Sequence, residues 1–154
     1  MSRLVFDGTA HTVQLIDKHG KAVGTWTAYN NIDSAFAKTH YAGARHLKNG
    51  LYVMQDSRSA HRHPGDNANG RFGTYGILRF NYHVDHPGVG VHSGRANNTR
   101  VPGAQHATHG CVRTTDEAMR YITAHISGDP LTNITIQGNS QAAAQHGARV
   151  CAHR

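Results

Sequence analysis

The sequence predicts a single, mainly β domain, and three observations carry that prediction. Its 154 residues, 38% of them hydrophobic, suffice for one real core rather than two. Charged residues make up only 16% of the chain while glycines number 17, a balance that favours turns and short strands over long surface helices. In the first third, apolar and polar residues alternate between turn signals, the period of half-buried strands.

Three strands are expected there: Leu4-Val5-Phe6, Thr12 to Ile16, and Ala22 to Trp26. Asp7-Gly8 and His19-Gly20 separate them with residues that tolerate positive φ, so an antiparallel meander with Trp26 in its core is the simplest arrangement. Periodicity weakens from Asn30 to Asn49 and returns as a strand at Gly50 to Met54. The polar stretch Asp56 to Gly73 exceeds the length of an ordinary connection, about 12–15 residues at most, and reads as a lid or substrate-binding flap. Strands resume at Tyr75 to Tyr82 and at Val89-Gly90-Val91, and the aromatics of the first of these fit cross-strand core pairs better than a base-stacking platform. Thr114 to Glu117 offers a capping box, and Met119, Ile122 and Ile126 follow on one face of a helix that Gly128-Asp129-Pro130 ends. A final strand is expected from Leu131 to Ile136, and residues 139–154, rich in Ala and Gln, read as a flexible tail beyond a domain of residues 1–138.

A formal net charge of +7 draws anionic partners, yet the basic residues are scattered singly and form no cluster of the kind that marks a nucleic-acid patch. No long apolar run is present, so neither a signal peptide nor membrane insertion is expected, and the chain as written stays in the cytosol unless another device exports it. Cys111 and Cys151 stand in such unlike surroundings that a bridge between them is not expected.

The chemistry concentrates in Thr108-His109-Gly110-Cys111-Val112-Arg113 and in His92-Ser93-Gly94 at the end of a short apolar strand. A thiol becomes a good nucleophile when a base or a positive field acts on it and its backbone admits a carbonyl closely. Gly110 leaves that room, a helix starting at Thr114 would favour thiolate, and the amides of Gly110 and Cys111 are natural donors to an oxyanion. His92 is the candidate base, with the loop from Arg95 to Ala107 returning Cys111 to its side.

These two segments resemble the signature of L,D-transpeptidase (YkuD-like) catalytic domains, a His-x-Gly-type segment followed by Ser-His-Gly-Cys-x-Arg. Here Thr108 stands for the serine and keeps its hydroxyl. The resemblance implies a YkuD-like β-sandwich of short antiparallel strands with one helix after the cysteine. It implies that Cys111 attacks the bond between an L-centre and a D-residue in a peptidoglycan stem, with His92 as base and no cofactor. The carbonyl of Ser93 would orient the imidazole, and His109, Gly110 and Cys111 would present amides to the oxyanion. Arg113 would brace the loop or neutralise the substrate's carboxylate, with Thr108 beside it on the substrate side; Arg100, by its place in the loop between His92 and Cys111, is a further candidate for the substrate's carboxylate or else a solvated residue. Water as acceptor gives carboxypeptidase activity, and an amine gives transpeptidation. The opening Leu4 to Gly8 and Ala22 to Trp26 also look like those of type VI secretion effectors in this family, which implies secretion machinery, an immunity protein and action in a target cell's periplasm.

Two other classes remain open on the residues. One is a basic non-enzymatic module binding cell wall or nucleic acid. The other is a zinc-dependent amidase using the pairs His61/His63, His83/His86 and His106/His109, although no His-Glu-x-x-His or Cys-x-x-Cys pattern accompanies them.

Overall fold

In the computed structural model, which describes residues 1–31, 46–82, 88–95, 104–105, 108 and 110–139, strands form where the alternation is strongest. β1 (Ser2–Asp7) buries Leu4 and Phe6, and β2 (Thr12–Ile16) buries Val13 and Leu15, while the residues between them face outward. β3 (Ala22–Tyr29) completes the expected antiparallel meander. The Asp7 carboxylate fixes the first turn by accepting from the Thr9 and Ala10 amides at 2.8 and 3.0 Å.

The remaining elements are β4 (Gly50–Val53), β5 (Leu78–Arg79), β6 (Gly90–His92), β7 (Val112–Thr114), the helix α1 (Asp116–Ile126) and β8 (Leu131–Gln137). They join one curled eight-stranded sheet in the order β4-β8-β1-β2-β3-β7-β6-β5. Its two ends meet. Met54 bridges Phe80, the amides of Gln55 and Asn81 donate to the carbonyls of Arg79 and Val53, and Asp56 pairs with Arg79 at 2.8 Å. A mainly β fold with one described helix after the cysteine is what the sequence predicts.

Three expectations need correction. The strands are not all antiparallel, since β1–β8 and β6–β7 are parallel pairs. The strand foreseen from Tyr75 to Tyr82 shrinks to Leu78–Arg79 with isolated bridges at Ile77 and Phe80, because Gly76 takes φ +80° against the His61 carbonyl and breaks the extended run. Trp26 packs against the core as a half-buried side chain, 5.4 Å from Tyr121 of the helix, rather than lying within it. The aromatic pairing does hold, with Tyr52 against Phe80 and Tyr82.

The helix is capped by Thr115, one residue later than expected, whose hydroxyl accepts from the Ala118 amide at 3.0 Å. Its buried face is Ala118, Met119, Ile122 and Ile126, as the spacing predicts, and it joins the core formed by β1, β2 and β8. Asn139, expected to open the flexible tail, is instead buried and hydrogen-bonded, and residues 140–154 lie outside the described residues.

Candidate active site

A parallel strand pair needs a long crossover rather than a tight turn, and that is how residues far apart in sequence meet here. β6 and β7 align Val91 with Val112 and His92 with Arg113. The two valines are wholly buried in the core. His92 and Arg113 share the opposite face, each only 1% exposed. Cys111 immediately precedes β7, and Arg113 lies within electrostatic reach of both the thiol and the imidazole.

The His92 ring is held by two contacts. Nδ1 lies 2.6 Å from the Ser93 carbonyl oxygen, so in the neutral ring Nδ1 donates and Nε2 is left as the basic nitrogen. Phe72 meets the ring edge-on at 5.0 Å between centroids. Burial pushes the imidazole down to about 3, outweighing the Ser93 hydrogen bond that favours its cation. Burial likewise pushes the Cys111 thiol up to about 11, against the opposing influence of the Gly90 amide and Arg113, and lowers Arg113 to about 10. The resting pair is thus a neutral thiol and a neutral imidazole. The helix adds little field at the thiol, because β7 separates the cysteine from it and a helix dipole weakens beyond its first turn. In the resting arrangement Cys111 Sγ faces the Gly88 carbonyl at 3.9 Å.

The loop before the cysteine is braced from inside. Gly110 takes φ +153°, a value that residues with a Cβ rarely adopt, so glycine is required next to the nucleophile. Thr108, expected to face substrate, is buried and donates its hydroxyl to the Cys111 carbonyl at 2.6 Å while accepting from the Gly110 amide at 3.1 Å. The Gly110 amide, expected as an oxyanion donor, is therefore already engaged. His109 and Arg100 lie outside the described residues, as do His83, His86 and His106.

The end of the polar stretch expected as a flap packs beside His92, where Phe72 meets its ring. Gly94 takes φ +98°, and a Cβ there would collide with the carbonyls of Gly70 and Arg71, so the flap's backbone lies directly against the segment that follows His92. The Arg95 amide donates to the Gly70 carbonyl at 2.9 Å and closes this contact. His61 and His63 meet edge-on in the same flap, but among the described residues no group of three or more His, Cys, Asp or Glu side chains is placed to hold a metal. The Arg95 side chain pairs with Asp116 at 3.2 Å on the wall of a cavity of about 480 Å³, which neither His92 nor Cys111 lines.

Sequence reasoning missed Phe72, which carries no signal beyond being an aromatic in a polar stretch. It also missed Asn30, whose side-chain amide donates to the carbonyls of Gly110 and Cys111 at 3.1 and 3.2 Å.

Comparison with known proteins follows the same lines. The family described as YkuD, L,D-transpeptidase catalytic domain, matches residues 2–136. Among solved structures, an L,D-transpeptidase (Yku) from Stackebrandtia nassauensis superposes with a TM-score of 0.52 at 14% identity, over 91% of this chain and 57% of that one. L,D-transpeptidase 1 from Mycobacterium tuberculosis gives 0.50 at 19% identity, over 89% and 62%. Bd1075 from Bdellovibrio bacteriovorus gives 0.59 at 15% identity, over 99% and 54%. This chain therefore spans between about half and two thirds of the length of these structures, and at such identities the likeness shows the fold. No curated protein matches the sequence significantly.

Proposed function

The chain belongs to the YkuD family of L,D-transpeptidase catalytic domains, and from that premise we propose that it is a cysteine acyl-transferase acting on peptidoglycan tetrapeptide stems. The observation that supports the proposal is the β6–β7 pair, which sets His92, with Nδ1 tied to the Ser93 carbonyl, opposite Arg113 on the strand that Cys111 leads into.

In the proposed reaction His92 Nε2 takes the thiol proton as Cys111 sulfur attacks the carbonyl of the L-centre. The Cys111 amide receives the developing oxyanion, and the buried Arg113 cation adds a favourable field. His92 then returns its proton to the departing D-amino acid, and a thioester remains on Cys111. Water or an amine, deprotonated by His92, attacks the thioester and releases the thiol, giving L,D-carboxypeptidase or transpeptidase products respectively.

Mass spectrometry of tetrapeptide muropeptides incubated with the protein tests the reading. Loss of the terminal D-amino acid, dependent on Cys111, is expected, and unchanged tetrapeptides or turnover that survives Cys111→Ala would sink it. Action as an antibacterial effector in a target periplasm is a further part of the proposal, supported by the likeness of the opening meander to effectors of this family. Periplasmic targeting should be toxic where cytosolic expression is not, and equal tolerance of both would remove that part.

A further inference from the structure

We infer that Asn30 is a positioning residue for the reaction proposed above, aiming the Cys111 amide at the oxyanion from behind. Asn30 sits just past the end of β3 and is only 3% exposed. Its hydrogen bonds join four parts of the chain. Nδ2 donates to the Gly110 and Cys111 carbonyls, and Oδ1 accepts from the Leu47 amide at 2.7 Å and from Asn139 Nδ2 at 3.0 Å. Asn139 Nδ2 also donates to the Leu47 carbonyl at 2.8 Å, and its own amide donates to Asn49 Oδ1 at 2.9 Å, so the acceptor side of Asn30 is fixed before the cysteine loop is considered.

The consequence follows from peptide geometry. In a trans peptide the C=O and the next N–H point in opposite directions across a rigid plane. Pulling the Gly110 carbonyl toward Asn30 turns the Cys111 N–H away from it. Thr108 holds the next plane by donating to the Cys111 carbonyl and takes the Gly110 amide for itself. Of the Gly110 and Cys111 amides, only that of Cys111 is therefore presented to a reacting carbonyl, and Asn30 sets its direction. A donor fixed in this way acts on charge that exists only in the transition state, so its loss should appear in kcat and not in KM.

The test compares Asn30→Ala with Ser2→Ala, which removes a buried hydrogen bond to the Asp129 carbonyl at 2.7 Å far from the site. Asn30→Ala should lower kcat on tetrapeptide stems by about 10- to 100-fold with KM within about twofold. Ser2→Ala should lose thermal stability while keeping kcat. Equal kcat in the two variants, or a loss confined to KM, overturns the inference.

Asn30→Asp serves if the alanine variant does not fold. It keeps the acceptor for Leu47 and Asn139 but can donate to the loop only when protonated, so its kcat relative to wild type should rise as pH falls, and a flat ratio counts against the role. Burst acylation of Cys111 by p-nitrophenyl acetate reads oxyanion stabilisation without peptidoglycan. A burst that depends on Asn30 in a protein inactive on stems would leave this inference standing while removing the substrate assignment; a burst indifferent to Asn30 would do the reverse.

Discussion

The region around β1, β2, β8 and α1 and the region around β6 and β7 are both buried, but they are built on different physics. The first is held by interchangeable apolar contacts: Leu4, Phe6, Val13, Leu15, Ile122, Ile134 and Ile136 are each at most 1% exposed and carry no polar atom that needs a partner. The second buries His92, Ser93, Thr108 and Arg113, so its geometry depends on individual hydrogen bonds with defined donors. A core of the first kind tolerates changes of shape and loses stability in proportion to volume. A site of the second kind loses function when one atom moves, even where the fold is kept.

Breaking the site should give the largest effect with the least unfolding. Cys111→Ala and His92→Gln, which remove the thiol and the ring base while keeping most of the buried bulk, should each lower turnover about 10⁴-fold or more, with melting temperatures close to wild type, as read by muropeptide kinetics beside thermal denaturation. A melting temperature that collapses with activity would merge the two regions. Breaking the core should do the opposite. Ile122→Ala should cost about 2–5 kcal/mol in denaturant unfolding while turnover per folded molecule stays unchanged.

Acid offers a third contrast. The imidazole of His92 is depressed from 6.5 to about 3, so between these values the unfolded chain binds more protons than the folded one. Stability from this group is complete above 6.5 and is lost as pH falls toward 3. Cys111, raised from 9.0 to about 11, sets the alkaline limit, with stability lost as pH rises through that interval. Unfolding midpoints measured across pH should show a shallower acid limb in His92→Gln than in wild type, and identical limbs would contradict the buried neutral imidazole. The smallest effect is expected from the flap: Phe72→Ala should lower kcat about tenfold by freeing the His92 ring, with little loss of stability. An unchanged kcat would reduce Phe72 to a cover.

The apolar region was legible in the sequence because its signals are local. Alternation in β1 and β2 and the spacing of Met119, Ile122 and Ile126 are set within a few residues of where they act. The helix start was misplaced by one because Thr114 and Thr115 are equally able to cap, and the register of β7, where Thr114 pairs with Ala28, decides between them. In the site, Cys111 and His92 stood out through their motif, and the Ser93 carbonyl followed from the resemblance. Asn30 did not, because its partners lie between 17 and 109 residues away and nothing near it in sequence distinguishes it from a turn asparagine. Arg113 was visible as a motif residue, but its complete burial depends on packing that no local pattern records.

The parallel pairing of β1 with β8 has a consequence for how the chain acquires its structure. β1 lies between β2 and β8, and its residues Ser2 to Asp7 find their second neighbour only at Leu131 to Gln137. That contact closes almost the longest loop the described residues allow, so its entropy must be spent before the apolar core can reward it, and such topologies fold slowly. During synthesis the first strand must wait, half-paired, until residue 137 has been made, and the domain should then form in one late cooperative step.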